Sequence, residues 1–70
     1  MNREYTAVVK QDNDWWIGWI EEIPGINCQE KTHDELITSL REVLREALDL
    51  NREEAVTMAK SGFVEELIAV

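Results

Sequence analysis

The groups in this chain best suited to chemistry are one thiol, one imidazole and a surplus of carboxylates. Cys28 could act as a nucleophile only beside a general base, and none lies near it along the chain. It reads instead as a small core residue on a short strand. His33 is the only histidine; it falls in the predicted first turn of a helix and reads as a solvated side chain. A single Cys and a single His do not make the nitrogen and sulfur ligand set of a zinc site. Asp12 and Asp14 resemble the opening of a calcium loop, but the sixth-position glycine and the closing glutamate are missing at the required spacing. Glu21–Glu22 and Glu65–Glu66 are adjacent carboxylates with no histidine beside them, suited to face solvent or a partner. No glycine-rich phosphate loop is present. The expectation is a non-enzymatic chain that uses no cofactor and no metal.

Charge narrows the partners. Fifteen Asp and Glu against seven Lys and Arg leave a net charge of −8. That field repels phosphate backbones, so direct nucleic-acid binding is disfavoured, and it attracts a basic protein. The competing use of such a surplus is solubility alone. Seventy residues make one domain, 1–70, close to the lower size at which a chain buries enough surface to fold unaided. A lone cysteine offers no disulfide and fits a reducing compartment. The start of the chain has no apolar run of the signal-peptide kind, and no segment approaches the ~20 apolar residues of a membrane span. A cytoplasmic protein without membrane contact is expected.

Residues 4–10 (EYTAVVK) alternate around β-branched side chains and predict a strand. QDND at 11–14 is turn chemistry, and WWIGWIE at 15–21 completes a hairpin with a loop of about four residues. Pro24 lacks an amide donor and Gly25 tolerates positive φ, so the strand should end at EIPG, with a short third strand over 26–30. Thr32-x-x-Glu35 is a capping box. Behind it Leu36, Ile37, Leu40, Val43, Leu44, Ala47, Leu48 and Leu50 recur with helical period. Residues 52–60 favour a further short helix, with Gly62 as the glycine beyond its end. The tail 63–70 reads either as a closing strand, which Phe63, Val64, Ile68 and Val70 favour, or as helix.

The second strand is apolar on both sides. Trp16, Gly18 and Ile20 share one face, Trp15, Ile17 and Trp19 the other. One helix covers one face, and Gly18 suits a close approach beneath it. The remaining tryptophans must meet either the tail or another molecule. An uncovered apolar patch on so small a domain points to self-association as a homodimer or higher oligomer through Trp15, Ile17 and Trp19.

Together these pieces resemble a known family. A Tyr-Thr strand, an acidic turn, a tryptophan-led second strand ending in Ile-Pro-Gly (YTAVVKQDNDWWIGWIEEIPG) and the capped helix opening in CQEKTHDEL are similar to the HicB-like antitoxin domain over about residues 4–50. The chain departs from that pattern at Ile26, where a small residue or cysteine is usual, and at Glu30, where glycine is usual. Leu36, Leu40 and Val43 stand where the family often has alanine, and Trp19 stands at a commonly charged position. The resemblance implies an α+β domain of β-β-β-α-β order, an antiparallel-rich sheet with one main helix on one face, similar to a truncated ribonuclease H fold. It also implies a partner, a small basic HicA-like toxin that cleaves mRNA. Longer relatives carry a DNA-binding domain after this one; the residues beyond the main helix are too few for it, so no separate DNA-binding domain is expected. The expected function is an antitoxin-like module that occludes the toxin's RNA site, with Glu21, Glu22, Asp12 and Asp14 as partner-binding carboxylates. The alternative is a solitary homo-oligomerising domain with no toxin partner.

Overall fold

A computed structural model of the chain describes residues 4–69. Three strands, β1 (Ala7–Asp12), β2 (Trp15–Ile20) and β3 (Ile23–Glu30), form one antiparallel sheet in the order β1-β2-β3, and a single helix α1 (His33–Ala59) follows. The class is α+β, as the alternation of periods in the sequence predicts.

The hairpin is tighter than expected. Asp12 pairs with Trp15, so the loop is only Asn13–Asp14, with Asn13 in the left-handed region at φ 58° that asparagine tolerates well. The third strand also starts earlier than 26. Pro24 and Gly25 do not stop it but lie inside β3, which pairs only with β2 and is therefore an edge strand. At an edge, the missing proline N–H need not break the ladder. Gly25, at φ 91°, helps absorb a register irregularity: Trp19 is opposite Asn27, whereas Ile20 is opposite Ile23.

Helix α1 starts where the capping box places it. Thr32 is the N-cap; the Glu35 amide donates to its Oγ1 at 3.2 Å, and that hydroxyl donates to Glu35 Oε1 at 2.9 Å. The carboxylate thus returns to the threonine hydroxyl. The helix then runs unbroken for 27 residues, about 40 Å, and absorbs the segment expected to form a second helix. No glycine or proline interrupts it before Gly62. The backbone turns at Lys60 (φ 64°) and Gly62 (φ 72°).

The closing strand is not formed: residues 63–69 are neither strand nor helix, and the order is β-β-β-α. Val70 lies outside the described residues. The tail pairs with no strand of the sheet, and Glu65 instead meets Arg52 of α1 at 3.0 Å in an exposed ion pair.

The core is small. Ile20, Ile26, Leu36 and Leu40 are buried, with Tyr5, Val9, Trp16, Ile23, Cys28, Leu44 and Ala47 packed around them. Gly18 lies under the helix as expected. A Cβ there would come within 3.0 Å of the Val8 carbonyl oxygen and 3.1–3.2 Å of Leu40 and Leu36, so hydrogen is the side chain that lets the helix seat. Among the described residues no helix is long and apolar enough to cross a membrane.

Candidate protein-interaction site

Register decides what surrounds the second-face aromatics. Val8 pairs with Trp19, Lys10 with Ile17 and Asp12 with Trp15; on the other side Asn27 pairs with Trp19 and Gln29 with Ile17. Directly opposed residues share a face, so these eight side chains form the sheet surface turned away from α1. Trp15 and Trp19 each remain 37% exposed, and the tail forms no strand against this sheet. Lys31 extends over the Trp15 ring with Nζ 3.9 Å from its centroid, a cation–π contact. The face therefore carries Lys10 and Lys31 against one carboxylate, Asp12. In a chain of net charge −8, it is a part of the surface where cations outnumber carboxylates.

The four carboxylates singled out in the sequence do not converge. Asp12 and Asp14 flank the hairpin turn, whereas Glu21 and Glu22 form the turn between β2 and β3 at the opposite end of the sheet. A six-residue strand separates the pairs by about 20 Å. Nor are Glu21 and Glu22 equivalent. The Glu21 backbone N–H donates to the Thr6 carbonyl at 2.9 Å, while its side chain is exposed. The Glu22 carboxylate accepts the Thr6 backbone N–H at 2.8 and 3.1 Å and the Thr6 hydroxyl at 2.7 Å. Donation first from that N–H and then from the hydroxyl holds the Glu22 carboxyl below the usual range. Glu22 thus fastens the start of the first strand to the β2–β3 turn. Its sequence separation from Thr6 hid this role.

Cys28 lies on the helix side of the sheet opposite Gly18. Partial burial, and secondarily Glu30, push its thiol upward, away from the reactive thiolate. His33 is exposed, as read from the sequence, and its ring also meets Trp16 edge-on with centroids 5.2 Å apart. Ser39 donates to Glu30 at 2.7 Å, tying helix to sheet. Among the described residues no cluster of three or more His, Cys, Asp and Glu could hold a metal ion.

A second apolar feature lies at the Glu21–Glu22 end of the sheet. Ile23, Pro24 and Ile26 face Val43, Ala47 and Leu50 across an open groove of about 470 Å³, with Glu46 at its border. No family model, curated protein or solved structure matches this chain.

Proposed function

We propose that this chain is a non-enzymatic binding module of the HicB-like antitoxin type, which neutralises a basic, HicA-type mRNA-cleaving toxin by covering its RNA site. The uncovered Trp15–Ile17–Trp19 face carries the binding-module reading: an aromatic patch left open on a domain with four buried core residues is surface suited to another protein. The net charge of −8 and the resemblance over residues 4–50 supply the kind of partner. Carboxylates occupying a site made for phosphates would compete with RNA without offering a bond to cleave. The chain itself makes no contact with nucleic acid in this reading.

The test uses the product of the reading frame beside this chain, expected to be small and basic. Co-expression is expected to restore growth and protect mRNA, with association slowing as ionic strength rises. Glu21→Lys is the suitable charge reversal at the turn, since Glu22 is committed to Thr6. A neighbouring frame that is not basic, or a basic neighbour that does not bind, would overturn the antitoxin reading.

The alternative, a solitary homo-oligomer, rests on one observation that the antitoxin reading shares. The open face, with Lys10 and Lys31 beside Asp12, lets two copies meet there without the repulsion that the carboxylate-rich parts of the surface would impose. Self-association through Trp15, Ile17 and Trp19 is compatible with either reading, and the antitoxin reading adds the basic partner.

A further inference from the structure

The groove between α1 and the Pro24–Gly25 corner has a chemical character of its own. At 100° per residue, Glu35, Glu42, Glu46, Asp49 and Glu53 fall within about 60° of one another, a carboxylate ridge along the helix. Arg41, Arg45 and Arg52 gather within about 40° on the side away from the groove-lining Val43, Ala47 and Leu50. Glu46 borders the groove, and its charged helical neighbours three and four residues away are Glu42 and Asp49, with no cation. Like charges at that spacing destabilise a helix, and among the described residues neither Glu42, Glu46, Asp49 nor Glu53 has an ion-pair partner. Leu50, on the groove wall, is 55% exposed. The turn that bears Glu21 leads directly into Ile23 of the same groove.

We infer that this groove is the docking site for a cationic, apolar-faced segment of a protein partner, its apolar side chains seated between Pro24 and Leu50 and its lysines or arginines on the carboxylate ridge. The inference rests on the reading of a basic protein partner and locates where that partner binds. Charge complementarity selects the occupant. The aromatic sheet face offers two lysines and one aspartate, whereas the groove border and ridge offer carboxylates. A second copy of this acidic chain would meet repulsion here, which leaves the aromatic face for self-association and the groove for the partner.

The probe is a synthetic amphipathic peptide of leucine and lysine, compared with the same peptide bearing glutamate for lysine. Nuclear magnetic resonance titration is expected to move the amides of Ile26, Val43, Ala47 and Leu50, with binding only of the lysine form. Glu46→Lys should weaken it about tenfold, with Glu46→Gln intermediate. Leu50→Ser should weaken it while preserving the salt dependence. Shifts confined to Trp15, Ile17 and Trp19, equal binding of the glutamate peptide, or unchanged affinity in Glu46→Lys would each overturn the assignment. Loss of the toxin reading would instead appear as failure to protect mRNA, with peptide binding intact.

Discussion

Glu22 shows how a residue that looks free along the chain becomes committed in three dimensions. Its carboxylate takes both polar hydrogens of Thr6, and the bond exists because β1 pairs with β2 so that Ala7 is opposite Ile20, bringing Thr6 to the next turn. A carboxyl whose value is lowered in the folded state stabilises the fold above its unfolded value, and that contribution disappears as pH falls through the folded value. Glu22→Gln is therefore expected to lower the urea midpoint at neutral pH, with the difference from the unaltered protein closing as pH drops below the ordinary carboxylate range. Denaturation curves between about pH 7 and about pH 3 check this; a difference independent of pH would show that the charge plays no part.

Among the elements, α1 depends most visibly on one local device. Thr32→Ala removes the oxygen that accepts the Glu35 amide and should cost about 0.5–2 kcal/mol, read as a lower denaturation midpoint with unchanged slope. An unshifted midpoint would mean that the helix starts elsewhere. This start was legible in the sequence because a capping box is a four-residue signal, and the two-faced β2 was legible because side chains alternate along any strand. The beginning of β3 was not. Proline and glycine stop a central strand, and only the sheet order reveals that Ile23–Glu30 is an edge, where both are tolerated. Helix continuity past Leu50 and the missing closing strand were hidden for a related reason. The tail's β-prone residues are placed by where α1 ends, a distance that local propensity does not contain. The aromatic patch was likewise readable from spacing, whereas the separation of Asp12 and Asp14 from Glu21 and Glu22 required the register.

For the whole molecule, the open aromatic face and the small core predict association. The unaltered chain is expected to form a dimer or larger assembly, and Trp19→Glu to shift it toward monomer. Losing burial of one aromatic, worth roughly 1.5–3 kcal/mol, corresponds to about ten- to a hundredfold in the dissociation constant. Sedimentation equilibrium reads this directly, and a monomer at every concentration of the unaltered chain would refute the interface. Sedimentation equilibrium is needed because of the helix that outruns its sheet. The body measures 51 × 23 × 16 Å with a radius of gyration of 15.1 Å, against about 11 Å for a compact chain of this length. Such a rod experiences more hydrodynamic drag than its mass implies, so a single copy would leave a gel-filtration column early and pass for two.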